Sequence, residues 1–192
     1  GWISRIDLQE DAYYKDLTDN IVAVPKGNGQ YRWMMMNLGY VEIRGIDASS
    51  TTEFRLPWDI LLNLRLTYTY QKAQDFTKRK SDVLQYLTYG VQIPYLPWHI
   101  GSVIAGIHWR SWQLNYSFIY VRDRYHRSAN IREDYEQPWY THDMALIKNF
   151  KVKDTNLRLA LEVNNLLAQD YEVVLNYPMP KRNYKLSFTV EI

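Results

Sequence analysis

The sequence predicts an all-β protein, an antiparallel transmembrane β-barrel. Several segments alternate apolar and polar residues, their polar halves carry charges, and the connections between them are alternately short and long. No stretch of the 192 residues approaches the roughly 18 consecutive apolar residues that a membrane-spanning helix needs. A spanning β-strand needs only about 10 residues and hides its apolar half by alternation, so the mean hydropathy of −0.44 is compatible with a barrel.

The clearest alternation lies in the segment 60–71, where from residue 62 onward leucine and tyrosine occupy the even positions and polar residues the odd ones. Residues 112–120 repeat the pattern, although Ile119 and Val121 interrupt its polar side. Residues 157–164 and 183–192 repeat it again, with charged side chains in the polar half. A packed soluble core would not accommodate those charges, whereas a barrel in lipid with a wet lumen would.

Weaker alternation elsewhere completes a map of eight strands. The second is irregular because Glu42 and Arg44 share the parity of Met34 and Met36, which predicts either a β-bulge or a strand end that projects beyond the lipid. The predicted strands cover residues 3–24, 32–54, 59–72, 98–110, 112–124, 140–151, 156–168 and 183–192.

The connections and the tryptophans indicate two different ends of the barrel. Short connections fall near 56–59, 110–111 and 153–155, and long ones span 25–31, 73–96, 125–139 and 169–182. Short turns at one end and long loops at the other are typical of outer-membrane barrels. All 7 tryptophans lie at predicted strand ends, where amphipathic rings meet the two membrane interfaces. These are Trp2, Trp58, Trp109 and Trp112 at the short-turn end, and Trp33, Trp98 and Trp139 at the long-loop end.

Five segments in this order resemble motifs of the C-terminal barrel of TonB-dependent outer-membrane receptors. The chain departs from the family pattern at Lys181, where glycine is usual, and at Ile192, where an aromatic residue is usual. The first departure argues against an obligate positive φ at that position. The five segments are 19–22 (DNIV), 37–47 (NLGYVEIRGID), 93–99 (IPYLPWH), 165–172 (NLLAQDYE) and 177–182 (YPMPKR).

The resemblance implies a receptor barrel of about 22 strands with a plugged lumen, of which residues 1–192 would supply about the last eight strands. The plug domain, the first barrel strands and the TonB-binding motif would then lie outside this chain. The implied function is active uptake of a scarce nutrient, such as cobalamin or siderophore-bound iron, across the outer membrane of a Gram-negative bacterium. The implied partners are outer-membrane lipid, the nutrient, TonB, the plug domain and, as a further candidate, a surface lipoprotein. The sequence of residues 34–45 most resembles the corresponding segments of Bacteroidetes receptors.

Two groups of residues are candidates for contact with solutes. The long loop of residues 71–96 is rich in tyrosine and charge, and loops at a barrel mouth commonly carry binding function. Its candidate ligand-binding residues are Tyr86, Tyr89, Tyr95, Arg79 and Asp82. A second group is predicted to face the lumen, namely Arg65, Asn115, Arg158 and Glu162.

Enzymatic, metal and nucleic-acid functions find little support in the sequence. The four histidines show no metal-ligand spacing, and there is neither a nucleophile elbow nor a phosphate-binding glycine loop. The net charge of +2 is spread along the chain, which does not favour nucleic acid as a partner. The sequence thus predicts a protein that is not an enzyme and has no cofactor.

Two other architectures remain compatible with eight alternating strands. One is a self-contained eight-stranded outer-membrane barrel that acts as an anchor, adhesin or hydrolase, which requires the first strand to pair with the last. The other is a soluble β-sandwich that acts as a binding module. The charges of the polar face argue against a small closed barrel because its interior would be filled with side chains.

Overall fold

The structure is a computed structural model that describes residues 2–25, 33–78, 80, 82–153 and 155–191. Within these residues, eight long antiparallel strands form one sheet, and each strand pairs with the next long strand along the chain. The strands are β1 (Ile3–Pro25), β2 (Trp33–Leu56), β3 (Ile60–Asp75), β4 (His99–Trp109), β5 (Trp112–Val121), β6 (Trp139–Val152), β7 (Thr155–Asn164) and β8 (Asn183–Glu191).

The remaining elements are short and lie in the connections. A 3₁₀ turn forms the connection between β2 and β3, and helix α1 lies in the long connection after β3. In the part of the chain described, no helix is both long enough and apolar enough to span a membrane. The short elements are the 3₁₀ turns Pro57–Asp59 and Arg132–Asp134, helix α1 (Asp82–Thr88), the strand Val91–Gln92, the ribbon Arg124–Tyr125 with Tyr135–Glu136, and the ribbon Glu172–Val174 with Tyr177–Pro178.

All eight predicted strands are present, and the predicted antiparallel β class is confirmed. The β-sandwich alternative is wrong, since the eight strands share one sheet. The predicted ends of two strands lie too far along the chain: β5 ends at Val121 rather than 124, and β7 ends at Asn164 rather than 168. Within the described residues β1 and β8 are the two ends of the sheet, and the pairing between them that a closed eight-stranded barrel needs is not present.

The two faces of the sheet have opposite character. Residues directly opposite one another in antiparallel strands place their side chains on the same face, so the register assigns each residue to a face. Leu64 is opposite Ala105, which is opposite Tyr116, whereas Asn63 is opposite Gly106, which is opposite Asn115. We call the first the apolar face and the second the polar face. The apolar face includes Leu62, Leu64, Leu66, Val103, Ile107, Leu114, Phe118, Leu146, Leu161, Leu186 and Phe188.

No β-bulge accounts for the irregular second strand, and the alternative of a strand end that projects beyond the lipid stays a prediction. Between Val41 and Leu56, β2 pairs continuously with β3, and the only register shift between β1 and β2 lies near Ile3. Residues 33–40 of β2 pair with β1 alone, beyond the end of β3. Glu42 lies close to this projecting end and forms an ion pair with Arg44, with a nitrogen–oxygen distance of 2.7 Å. Glu42 and Arg44 themselves pair with both β1 and β3, in the three-stranded region next to the projecting hairpin.

The tryptophans follow the predicted pattern only in part. Trp109 and Trp112 are opposite each other on the apolar face, with the guanidinium of Arg110 and the ammonium of Lys148 over their rings. This arrangement is typical of a membrane interface. The interpretation is wrong for Trp139, which lies opposite Val121 on the polar face and has a buried indole N–H without a partner. Trp139 packs in the loops at the end of the sheet instead.

Gly45 allows a tyrosine to lie flat across the polar face. Tyr13 is the residue opposite Gly45 in the β1–β2 pair, and a Cβ atom at Gly45 would overlap the Tyr13 ring. The Tyr13 hydroxyl reaches Gln71 Oε1, two strands away, at 3.4 Å. Covering a strand glycine with an aromatic ring also fixes the register of the strands.

We therefore expect Gly45→Ala to lower the free energy of unfolding by about 1–3 kcal/mol, because the added methyl group overpacks the Tyr13 ring. Chemical unfolding of the receptor in lipid vesicles measures the change. Gly101→Ala is the matched control, since a Cβ atom there would meet only Thr67 O at 3.9 Å. Equal effects at the two positions, or the same loss in a Tyr13→Ala background, would contradict the proposed overlap.

A small apolar core lies at the long-loop end of the sheet. Leu38, Val41, Ala73 and Ile93 are almost fully buried in one cluster. Ile93 belongs to the connection between β3 and β4, and its backbone N–H donates to Ala73 O at 3.2 Å. The long connection is therefore folded back onto the sheet, which places the following residues over the end of the strands.

Candidate ligand-binding site

Three connections at the long-loop end are joined by hydrogen bonds. The Tyr95 backbone N–H donates to Tyr125 O at 2.9 Å. This bond joins the connection between β3 and β4, here the first connection, to the connection between β5 and β6, the second. Asn130 reinforces this junction, because its side chain accepts from the Gln92 N–H at 2.8 Å and donates to Gln92 O at 3.0 Å. We call residues 91–97, 124–136 and 165–182 the loop platform.

Arg124 joins the second connection to the third. It follows the end of β5, and its Nη2 donates to Glu172 O at 2.7 Å and to Val173 O at 2.9 Å. Only 3% of Arg124 is exposed. Burial lowers the pKa of the guanidinium and the charge of Glu136 opposes that shift, but an arginine stays protonated in proteins. The loop platform is thus held by a buried cation.

A histidine with two carboxylate neighbours lies beside Arg124. His126 Nε2 is 3.4 Å from Asp134 Oδ1, and its Nδ1 is 3.1 Å from Glu136 Oε1. The backbone N–H of His126 also donates to Asp134 O at 2.9 Å, where a 3₁₀ turn brings the chain back. Asp134 is 1% exposed, and Arg127 Nη1 lies 3.7 Å from its carboxylate. These contacts fix the fold of residues 124–136.

Asn165 organises the third connection. It has a φ of 50°, a left-handed conformation that asparagine tolerates better than most residues. Its side chain accepts from the Gln169 N–H at 2.9 Å and donates to Gln169 O at 2.8 Å, while its own N–H donates to Asp143 Oδ1 at 2.7 Å. Asn165 is the first residue of the NLL motif, and it ends β7 because a left-handed residue cannot continue the strand.

A partly open cavity of about 240 Å³ lies between the platform and the sheet. Burial raises the pKa of Tyr95, whose hydroxyl lies in this region, while the backbone of Leu175 has a smaller effect in the opposite direction. Two wider clefts of about 680 and 400 Å³ open on either side. The platform is therefore a folded structure with recesses of the size that ligand arms occupy. The residues that line the cavity are Tyr95, Pro97, Val121, Arg124, Trp139, Val173 and Val174.

The predicted ligand-binding residues are placed in different parts of the long connection. Tyr86 lies on α1 and is 86% exposed, and Tyr89 packs edge-on against Phe76 at 5.2 Å between ring centroids. Tyr95 belongs to the loop platform. Asp82 begins α1, but its side chain lies outside the described residues, as does the whole of Arg79. The structure does not bring the tyrosines together, and their binding role stays a prediction.

The four residues predicted to face the lumen share the polar face of the sheet. Arg65 is opposite Thr51 and Ile104, and Glu162 forms an ion pair with Lys185 at 3.3 Å. Arg158 lies near the short-turn end and lines a cleft of about 580 Å³ there. None of the four, including Asn115, lines the recesses of the loop platform. Their orientation toward a lumen stays a prediction.

Sequence reasoning missed Arg124, His126 and Asp134. Their types and spacing match no motif, but one signal was present: Ile119 and Val121 interrupt the polar side of β5. Val121 is buried and forms part of the cavity wall. Among the described residues, no group of three or more acidic or histidine side chains is arranged to hold a metal ion.

The family model for "TonB dependent receptor-like, beta-barrel" matches residues 4–166 of this chain. The chain belongs to the TonB-dependent receptor β-barrel family. This finding confirms the predicted resemblance and the prediction of a partial receptor barrel. The family is one of transport receptors, which agrees at the family level with the prediction that the chain is not an enzyme.

Solved structures of TonB-dependent receptors share the fold. BauA, the ferric preacinetobactin receptor from Acinetobacter baumannii, has a TM-score of 0.69 at 16% identity, with 95% of this chain and 27% of that chain covered. Fiu, the ferric-catecholate import receptor from E. coli K12, has a TM-score of 0.64 at 19% identity, with 95% and 24% covered. FrpB, an iron transporter from Neisseria meningitidis, has a TM-score of 0.55 at 14% identity, with 95% and 28% covered. The chain thus spans about a quarter of these receptors, and no curated protein matches it in sequence.

Proposed function

We propose that this chain is the C-terminal part of an outer-membrane receptor that captures a scarce nutrient and imports it with energy supplied through TonB. The observation that carries the proposal is the loop platform, a hydrogen-bonded structure with recesses at one end of a TonB-dependent receptor sheet. An import receptor needs a structured mouth that faces the outside and a wall that separates lipid from water. The apolar and polar faces of the sheet suit that wall.

The parts of the proposed mechanism divide between this chain and the rest of the receptor. The loop platform would hold the nutrient, the hydrated polar face would line its path, and a plug domain outside residues 1–192 would close the lumen until TonB acts. The three similar structures are named for iron or ferric complexes, so ferric chelates are the first ligands to test and cobalamin the second. The proposed location is the outer membrane of a Gram-negative bacterium.

Uptake in the source organism tests the proposed function. A strain that lacks the receptor gene is expected to lose accumulation of one labelled ferric chelate or of labelled cobalamin, and a strain that lacks TonB is expected to lose the same activity. Restoration of uptake by the intact gene provides the control. Normal uptake of every labelled compound in the receptor-deficient strain would overturn the proposed function.

Deletion of residues 78–87 is expected to weaken nutrient capture at least tenfold, on the order of the loss of one or two good contacts, while the barrel still assembles. The segment contains all of α1 except its last residue, and the exposed Tyr86 of that helix offers an amphipathic surface to a large ligand. Ligand titration on whole cells measures capture, and heat-modifiable migration in gels measures assembly. Unchanged affinity in a correctly assembled deletion variant would exclude this loop as the capture site.

A further inference from the structure

The cavity of about 240 Å³ in the loop platform has walls of a particular kind. Its apolar part is made by Val121 at the end of β5, Pro97 in the first connection, and Val173 and Val174 in the third. Such walls favour an alkyl or aryl group over water. The cavity is therefore shaped for a small molecule or for one arm of a larger one.

The polar groups of the same cavity are hydrogen-bond donors that lack acceptors. Arg124 Nη1, the Tyr95 O–H and Trp139 Nε1 are all buried, and none of these three donors reaches an acceptor in the described structure. All three side chains line the cavity. Arginine and tryptophan nitrogens can only donate, so the group that satisfies them must bring acceptors. Buried donors without acceptors are costly, and three at one cavity indicate that an acceptor-rich group belongs there.

The nearby glutamates do not supply the acceptors that these three donors lack. The charge of Glu136 acts on Arg124, and Glu172 accepts from Arg124 through its backbone oxygen, but neither residue lines the cavity. Glu136 is directed to His126, and the Glu172 carboxylate accepts from the Asn176 N–H at 2.7 Å. Arg124 is therefore the one charged residue that lines the cavity, and its charge is positive.

We propose that this cavity binds the carboxylate group of a small organic acid, with the two oxygens held by Arg124, Tyr95 and Trp139 and the apolar part of the acid against the valines and Pro97. Charge-assisted hydrogen bonds from a buried guanidinium are among the stronger polar contacts in proteins. The carboxylate would be an anchoring group of the imported solute. This inference deepens the proposed function and rests on it only for the outward position of the loop platform.

Benzoate is the probe, because it combines a carboxylate with an apolar ring of suitable size. Calorimetric titration uses the purified full-length receptor in detergent, with benzamide as the neutral compound of nearly the same shape. Benzoate is expected to bind at least tenfold more tightly than benzamide. Tyr95→Phe removes one donor and keeps the ring, so benzoate affinity should fall about three- to tenfold. Tyr135→Phe is the matched control, since Tyr135 also belongs to the loop platform but lies outside the cavity.

A second variant keeps the test valid if Tyr95→Phe alters the loops. Val174→Phe should fill the cavity and leaves all three donor residues unchanged, so benzoate binding should be lost. The near-ultraviolet circular dichroism of the variant should match that of the native receptor, which shows that the loops are still folded. Equal binding of benzoate and benzamide, no benzoate binding, or benzoate binding that neither variant weakens would each overturn the carboxylate site. None of these results depends on the uptake assays. The titrations therefore test the carboxylate site, and the uptake assays test the proposed import function independently.

Discussion

Leu64→Arg is expected to lower the free energy of unfolding by about 2–4 kcal/mol in a lipid bilayer if position 64 lies near the midplane. Leu64 lies in the middle of β3 on the apolar face, opposite Ala105 and Thr52. A guanidinium on that face would have to enter hydrocarbon or deform the membrane to reach water. Urea unfolding of the receptor in vesicles, followed by tryptophan fluorescence, measures the change.

Asn63→Arg is the matched control for this substitution. Asn63 precedes Leu64 on the same strand, but it lies on the polar face opposite Glu53 and Gly106. We expect a change within about 0.5 kcal/mol there, because the new charge stays hydrated. Similar losses at both positions would show that arginine harms the strand and not the lipid contact. A neutral Leu64→Arg variant would contradict the assignment of the apolar face to lipid.

Asn165→Ala is expected to open the third connection, with a loss of about 2–4 kcal/mol in the free energy of local unfolding. The substitution removes two strong hydrogen bonds of a buried side chain and places alanine in a left-handed conformation. Amide hydrogen exchange at Gln169 reports the opening, because that N–H donates to the Asn165 side chain.

The neighbouring Asn164 provides the control for the loop. Its side chain makes a single exposed bond to Asn183 at 3.0 Å, so Asn164→Ala should change exchange at Gln169 by less than about threefold. If the two variants exchange at the same rate, the loop does not depend on Asn165. Global unfolding of the barrel should change little in either variant, since the strands on both sides keep their pairing.

The strands were predictable because each is a local pattern. β3 alternates leucine and tyrosine with polar residues over most of its length, and that period alone determines which side chains share a face. Strand ends depend on different physics. β7 was predicted to extend to residue 168, but Asn165 adopts a φ of 50° and turns the chain into a loop. A single residue of special conformation thus limits what periodicity can predict.

The loop platform could not be predicted in the same way. Arg124 bonds to Glu172 and Val173, which are almost fifty residues further along the chain, and no local pattern encodes such a pair. A buried arginine and an exposed one look alike in a sequence. Tyr95 was found only because tyrosine-rich loops are good candidates for binding in general. The tryptophan rule failed at Trp139 for a related reason, since a side chain at a strand end can pack against the loops as well as face the membrane.

The order of strands in the sheet has a consequence for how the protein forms. Each long strand is hydrogen-bonded to the strand that follows it in the chain, from β1 through β8. Within the described sheet, each of these pairings joins neighbours in sequence, so the entropy of loop closure is incurred in small steps. These eight strands can therefore fold by sequential addition of hairpins. A substitution that disrupts one short turn, such as the turn at Arg110 and Ser111, should stop the addition of further strands at that point while the hairpins already formed remain paired.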